Sequence, residues 1–411
     1  MSSESMSGEF FTYTLPNGVR TILKRTSSPV VHCAMTINTG TRDERSGEFG
    51  IAHMVEHNIF KGTTHRKAHH INCRLENLGG ELNAYTAKEE TVIYATSLKR
   101  DFAKAVELLV DVMFHSTFPE HEVEMEKEVI FDEINLYKDT PAERIFDDWE
   151  DLLFAGSELG HNILGSKATL RKIHSKELSD FVARTYNTDQ MVFSVTGNIS
   201  ESQFVRTIER YLAPESANLR AFERTTPSAY EPFQTTRQRG THQSHCIIGG
   251  RGYDLRSEKR LPMVLLTNIL GGPSANSLLN VLLREKNALS YAVEAAYTPM
   301  SDCGNFTIYF SSDKERTEKC QQLVMRQLQE LCEKPLTPRR LQIAKRQFLG
   351  QFTISGENAE GYMLGVGRSY LAFGTVDSQQ EIAERVNSLT AMELVDVATE
   401  TFKNLSTLVY R

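Results

Sequence analysis

Two patterns of apolar residues alternate along this chain. In short segments apolar residues dominate or alternate with polar ones, as in β-strands, and in longer segments they recur every three or four positions, as in amphipathic helices. The alternation predicts an α/β or α+β fold. Strands are predicted at Gly18–Lys24, Val30–Asn38, Thr91–Ser97, Gln190–Thr196, Ser244–Gly250, Tyr291–Thr298 and Asn305–Ser311. Helices are predicted at Ala68–Leu78, Asp101–Phe114, Pro119–Tyr137, Ser200–Tyr211, Glu258–Leu270, Lys314–Leu331 and Thr337–Thr353.

The length of the chain indicates more than one domain. It has 411 residues, whereas a single hydrophobic core rarely serves more than about 250–300 residues. Residues 216–236 include Pro227 and Pro232 and show little apolar periodicity, which is typical of a linker. We therefore expect an N-terminal domain at residues 1–215, a linker at 216–236 and a C-terminal domain at 237–411.

A short polar motif interrupts an otherwise apolar helical segment. His53 and His57 are four residues apart, so on a helix they share one face, and Glu56 points toward the same face. Apolar residues such as Ile51 and Val55 flank the motif, which indicates burial, and buried polar groups need partners. A metal ion gripped by both imidazoles would satisfy them, and the carboxylate could act as a general base on a metal-activated water. This H-x-x-E-H pattern is the inverzincin motif.

A catalytic zinc needs a third protein ligand and an open position for water. In the predicted helix Pro119–Tyr137, the residues Glu126, Ile130, Glu133 and Tyr137 are spaced four, three and four apart, so they form one stripe. Two carboxylates thus lie on the inward face, where a cation is needed to compensate them. One of the two is predicted as the third ligand, and the other as a residue that orients a histidine.

With these residues the chain resembles the M16 (pitrilysin-type) zinc metallopeptidases, in particular the subfamily of mitochondrial processing peptidase and its bacterial relatives. In that family H-x-x-E-H is followed after about 75 residues by a glutamate ligand, and here 75 residues (58–132) separate His57 from Glu133. The family's additional acidic residue falls on Glu126. The segment 78–91, LGGELNAYTAKEET, is also similar to a family segment.

The resemblance assigns roles to these residues. It implies one Zn²⁺ per chain bound by His53, His57 and Glu133, with Glu126 in a supporting role behind the ligands. Glu56 would be the general base. Asn83, Ala84 and Tyr85 would form an edge strand that pairs with the substrate backbone.

The resemblance extends to the segment 283–291, LREKNALSY, in which Arg284 and Tyr291 would contact the substrate. Many relatives have glycine where this chain has Ala288, at a helix end where a left-handed residue is favoured. The implied fold is α+β, with two structurally similar domains, each a mostly antiparallel sheet packed by helices (the LuxS/MPP-like metallohydrolase fold).

The implied function is a zinc-dependent endopeptidase that hydrolyses unfolded peptides or presequences. Because larger relatives enclose a chamber between two such halves, we expect a homodimer in which Arg284 and Tyr291 of one protomer complete the zinc site of the other. Three alternatives remain open: a non-catalytic scaffold or substrate-recognition subunit, a subunit that needs a different partner, and a hydrolase of a non-peptide substrate.

Composition narrows the choice of partners and compartment. The net charge of −7 gives no basic surface typical of nucleic-acid binding, and no apolar run is long enough to span a membrane. Met1–Glu9 lacks the apolar core of a secretory signal. The scattered cysteines, with no C-x-x-C pair, indicate reduced thiols, and a cysteine–histidine nucleophile is not positioned by any segment. We therefore expect a cytoplasmic protein.

Overall fold

The structure, a computed structural model, describes residues 5–6 and 9–411. The predicted absence of a secretory signal in Met1–Glu9 therefore falls mostly outside the described residues. The strands are β1 Ser5–Met6, β2 Phe10–Thr14, β3 Arg20–Arg25, β4 Val30–Ile37, β5 Glu81–Thr86, β6 Thr91–Leu98, β7 Met191–Gly197, β8 Gln234–Arg237, β9 Ser244–Gly252, β10 Ser290–Pro299, β11 Gly304–Ser312 and β12 Ser406–Tyr410.

The helices are α1 Ile51–Asn58, α2 Ala68–Glu76, α3 Phe102–Phe114, α4 Glu120–Asp139, α5 Pro141–Leu153, α6 Lys167–Leu170, α7 Ser175–Thr185, α8 Glu201–Tyr211, α9 Arg260–Gly271, α10 Thr317–Glu333, α11 Pro338–Ser355, α12 Ala359–Phe373, α13 Gln379–Ser388 and α14 Ala391–Thr401. A π-helix spans Asn280–Lys286. Short 3₁₀ turns occupy Thr41–Asp43, Lys99–Asp101, Thr188–Gln190 and Lys314–Arg316.

The chain divides into two compact units. The first contains the described residues up to Ile134, together with His161–Arg224 and Ile354–Ser378. Its sheet has the order β1-β2-β3-β7-β4-β6-β5, in which only β3 and β7 run parallel. Strand β7 is buried along its whole length, as expected for a central strand covered on both faces.

The second unit contains Asn135–Gly160, Thr225–Thr353 and Gln379–Arg411. Its sheet has the order β10-β11-β9-β12-β8, in which only β12 and β8 run parallel. Helices α9, α10 and α14 pack together with this sheet around a core that includes Phe306, Ile308 and Phe310. Each unit is thus a mostly antiparallel sheet packed by helices, and the predicted α+β fold class is confirmed.

Each unit contains one helix whose residues lie in the range expected for the other domain, α12 in the first unit and α5 in the second. Helix α12 packs on β4 and β7 of the first sheet, where Met363 and Val366 join its apolar clusters. A Cβ atom on Gly367 would lie 2.9 Å from both Ser194 Oγ and Thr36 Oγ1, so glycine is needed for this close approach. In the second unit α5 places Trp149 in a buried cluster, where its Nε1 donates a hydrogen bond to Asn305 Oδ1. The domains expected from the sequence were contiguous ranges, so this exchange of helices was not predicted.

The segment 218–233 forms neither helix nor strand, but its first part is anchored to the first unit. Asn218 Nδ2 donates hydrogen bonds to the carbonyl oxygens of Ala183 and Tyr186. Arg224 forms an ion pair with the buried Asp43, with Nη2 and Oδ2 2.7 Å apart. The end of the expected linker, from Gln234, forms strand β8.

The left-handed position expected at residue 288 is present and is occupied by alanine. Ala288 has φ of +47°, and it follows the π-helix, with its amide bonded to the Arg284 carbonyl. A left-handed conformation costs a non-glycine residue about 1–2 kcal/mol. Glycine avoids this cost, but its greater conformational freedom in the unfolded chain offsets part of the gain in stability.

We therefore expect Ala288→Gly to raise the free energy of unfolding by about 0.5–1 kcal/mol, measured by urea denaturation. The control is Ala296→Gly at an exposed position inside β10, where the same replacement should lower stability by a similar amount. An Ala288→Gly protein that is less stable than the wild type would contradict the strain argument.

No helix in residues 9–411 combines the length and apolar character needed to cross a bilayer.

Candidate metal centre

Helix α1, which carries the H-x-x-E-H motif, begins at a tightly fixed glycine. Gly50 has φ of +97°, and a Cβ atom there would lie 2.7 Å from the carbonyl oxygen of Leu164. The Glu44 carboxylate accepts hydrogen bonds from the amides of Gly50 and Ala52, both at 2.9 Å. It thereby satisfies two of the free amides at the helix N-terminus and complements the helix dipole.

Glu44 is itself held by a partly buried imidazole. His161 Nε2 lies 2.7 Å from Glu44 Oε2, and its ring stacks on Phe49 with the centroids 4.1 Å apart. Burial raises the pKa of Glu44, while His161 and the two helix amides oppose the rise. The start of α1 is therefore fixed by a polar network within the first unit.

The two histidines and Glu133 converge on one point. His53 Nε2 and His57 Nε2 each lie 3.7 Å from Glu133 Oε2, and one donor atom from each of the three residues falls within 4.8 Å of the others. Ligands of a tetrahedral zinc ion lie about 3.4 Å apart, as follows from bond lengths of about 2.0–2.2 Å. Two imidazoles and one carboxylate are the protein donor set of a catalytic zinc site, so these residues fit the metal.

Glu126 lies behind His57, seven residues before Glu133 on α4. His57 Nδ1 is 3.0 Å from Glu126 Oε2, and Lys61 Nζ is 2.5 Å from Glu126 Oε1. With its proton on Nδ1, His57 donates to the carboxylate and keeps the lone pair of Nε2 free for a metal. The stripe predicted on this helix is present, since Glu126 and Ile130 are buried and Glu133 is partly buried.

His53 is the most buried member of the group. Burial and the neighbouring His57 lower the pKa of His53 to about 3. The imidazole is therefore neutral at physiological pH, which is the form that binds a metal. Its Nδ1 is buried and has no hydrogen-bond partner within the described residues.

Glu56 lies on the same helix, one residue before His57. Burial raises the pKa of its carboxyl, and Thr86 at the end of β5 partly opposes the rise. Burial also raises the pKa of Glu133. Together with Glu126, which is paired with Lys61, these side chains place three carboxyl groups near the two histidines.

Strand β5, which contains Asn83, Ala84 and Tyr85, is an edge of the first sheet. Within the described residues it pairs with β6 alone, and it contacts α1. The Ala84 amide donates to its neighbour's side chain, Asn83 Oδ1, at 2.9 Å, instead of to a strand. Arg368 of α12 supports this edge, since its Nη2 donates to the Tyr85 hydroxyl at 2.8 Å and its Nε lies 2.5 Å from Glu90 Oε1.

Arg284 and Tyr291 belong to the second unit. Arg284 is an exposed residue of the π-helix, and Tyr291 is an exposed residue of β10 whose hydroxyl donates to Asp313 Oδ1 at 3.0 Å.

Three residues that hold the elements of this site in place were not predicted from the sequence. Glu44 caps α1 from six residues before Gly50, well outside the usual capping-box spacing, so no local signal marks it. His161 and Arg368 are distant in sequence from the residues they contact, and nothing in their own segments indicates these contacts.

Comparison with known proteins gives two family matches along the chain. Residues 20–167 match the family described as Insulinase (Peptidase family M16), and residues 172–348 match the family described as Peptidase M16 inactive domain. Two solved structures have a TM-score of 0.90 to this chain. One, of a peptidase M16 inactive domain from Pseudomonas fluorescens, is 18% identical and covers 100% of this chain and 98% of its own. The other, a protease from Helicobacter pylori, is 20% identical and covers 98% and 99%. At these identities the likeness shows the fold.

Similar sequences carry the same protease name. The Bacillus subtilis (strain 168) protein called uncharacterized zinc protease YmxG is 31% identical over 393 residues, which is 95% of each chain. A Rickettsia felis protein called uncharacterized zinc protease is 30% identical over 406 residues, covering 98% of this chain and 97% of its own. With these relatives aligned over nearly their whole length, and with the family matches, this chain belongs to peptidase family M16.

Proposed function

We propose that the protein is a zinc-dependent endopeptidase that hydrolyses peptide bonds in unfolded peptides or presequences. The observation that carries this proposal is the convergence of His53, His57 and Glu133 within 4.8 Å, with Glu56 on the same helix. The names of the M16 relatives support the metal and the reaction class.

In this proposal His53, His57 and Glu133 hold one Zn²⁺ per chain. When bound, the zinc lowers the pKa of a coordinated water to about 7 and polarises the substrate carbonyl. His57 is oriented for this role by Glu126, and Lys61 fixes the far oxygen of that carboxylate. Glu44 holds the helix that presents both histidines.

Glu56 acts as the general base. It takes a proton from the attacking water and delivers it to the leaving amine, so one carboxyl serves both steps. Its burial supports this role, because burial raises the pKa of the carboxyl toward the range in which it can both accept and donate a proton.

The substrate backbone pairs with β5. The Ala84 amide is not used by the sheet and is bonded to Asn83 Oδ1, so rotation of the Asn83 side chain frees it for a substrate carbonyl. Strand addition reads the backbone and tolerates many sequences, which suits unfolded peptides. Arg368 holds the Tyr85 side chain beside this edge.

Arg284 and Tyr291 complete the site from a second protomer of a homodimer in this proposal. Both side chains are exposed in the second unit, so they are accessible to another copy of the chain. A non-catalytic or partner-dependent subunit is the alternative, and the match of residues 172–348 to a family described as an inactive domain is the observation that favours it.

The proposal is tested by cleavage of a quenched, unstructured peptide of about 20 residues, a length that suits an extended bound segment. We expect cleavage to be lost after removal of the metal with a chelator and restored by a stoichiometric amount of Zn²⁺. Calorimetry on the metal-free protein checks that removal of the metal has not unfolded it. A protein that binds Zn²⁺ and leaves the peptide intact would favour the alternative.

A further inference from the structure

A second group of metal-ligand side chains lies at the end of helix α3. Asp111 is in its last turn, His115 follows the helix, and His65 comes from the loop before α2. One donor atom from each falls within 4.8 Å of the others. The group shares no residue with the His53–His57–Glu133 site.

The carboxylate of this group is buried and fixed. Asp111 Oδ2 accepts from Arg66 Nη1 at 2.5 Å and from Thr63 Oγ1 at 3.0 Å. Its other oxygen, Oδ1, faces the imidazoles, 2.7 Å from His65 Nδ1 and 3.5 Å from His115 Nδ1. One oxygen is thus held by outer donors while the other remains available, which is the usual arrangement of a metal-binding carboxylate.

His115 has an unused ring nitrogen in the group. Its Nδ1 is buried and makes no hydrogen bond within the described residues, although it lies 3.5 Å from Asp111 Oδ1. That separation is close to the distance of about 3.4 Å between two ligands of a tetrahedral ion. Its other nitrogen, Nε2, lies 3.6 Å from Glu215 Oε2, so a carboxylate supports this imidazole from behind.

The loop that carries His65 is held in place. Thr63 Oγ1 accepts from the amides of His65 and Arg66, and the Thr64 amide donates to the His115 carbonyl at 2.9 Å. The His65 side chain is 58% exposed, so its ring can move from its hydrogen bond with Asp111 into a ligand position. The backbone is therefore preorganised, and the exposed side leaves coordination positions for water.

We infer that His65, Asp111 and His115 form a second site for a divalent transition metal, with Glu215 supporting His115. Two imidazoles and a carboxylate favour ions such as Zn²⁺, Co²⁺ or Ni²⁺ over Mg²⁺ and Ca²⁺. The third group in the described residues, Glu120, Glu124 and His174, has side chains that are about half exposed and lacks a comparable buried carboxylate.

The site is tested with Co²⁺ in the full-length His57→Ala background, which removes the first site. Equilibrium dialysis and visible absorption should show one remaining equivalent of Co²⁺. Adding His115→Ala or His65→Ala should weaken its binding at least about 10-fold, and adding Glu215→Gln should weaken it by about 10–100-fold. Since His65 is exposed, its replacement tests the ligand without disturbing the core.

The matched control is His174→Ala, which should leave Co²⁺ binding unchanged. Far-UV circular dichroism checks that each variant is folded. The inference is overturned if the His57→Ala protein binds no Co²⁺, or if binding survives in the His65→Ala and His115→Ala variants, or if it is lost in His174→Ala instead.

Discussion

Replacing Glu56 by glutamine is expected to lower kcat for peptide cleavage by a factor of about 10²–10⁴ while the metal content stays unchanged. Glutamine keeps the size of the side chain but cannot accept the proton of the attacking water. In the proposed site the metal would be held by His53, His57 and Glu133, none of which is altered, so metal analysis and cleavage of the quenched peptide should separate the two effects.

The matched control is Glu128→Gln on α4. Glu128 is exposed and lies outside the ligand stripe, so this change should leave both cleavage and metal content unchanged. If Glu56→Gln lost its metal, Glu56 would be needed to build the site. If it retained most of the activity, another group would have to serve as the base.

Mixing two inactive variants is expected to restore activity. In the proposed homodimer, Glu56→Gln lacks the base and Arg284→Ala lacks the group donated to the other protomer. A mixed dimer pairs the intact Glu56 of one protomer with the intact Arg284 of the other. Random exchange makes about half of the dimers mixed, each with one working site of two, so about a quarter of the wild-type rate should return.

The measurement is cleavage of the quenched peptide after the two variants are refolded together, compared with each alone. Light scattering establishes the oligomeric state. The control mixes Glu56→Gln with Glu128→Gln. Both of these variants keep Arg284, and only the second keeps Glu56. No activity above that of the separate variants in the test mixture would mean that Arg284 does not act between protomers.

The arrangement of the candidate site residues could be predicted from the sequence because they lie on regular helices. His53, Glu56 and His57 share a face by helical spacing alone, and the stripe of Glu126 and Glu133 on α4 follows from the same geometry. Each of the seven predicted strands and seven predicted helices overlaps an observed element, with small shifts of the ends. Long periodic segments carry this information locally.

The features that were not predicted depend on contacts between residues that are distant in sequence. Helix α12 contains Gly361, Gly365 and Gly367, which lower its helix propensity, and it is stabilised by its packing on β4 and β7. Strands β8 and β12 are short and pair with each other from opposite ends of the second half of the chain. Glu44 accepts a hydrogen bond from the Gly50 amide across a loop, and no periodic pattern in the sequence predicts this contact.

The exchange of helices also affects how the protein is made. Residues 354–378 cover part of the sheet in the unit that contains the candidate metal ligands, yet they are translated more than 200 residues after Glu133. A nascent chain that stalls before residue 354 would carry His53, His57 and Glu133 on a domain with an uncovered apolar face. Such a product is a target for chaperones and quality-control proteases. Synthesis of residues 354–378 is thus a condition for a stable first unit.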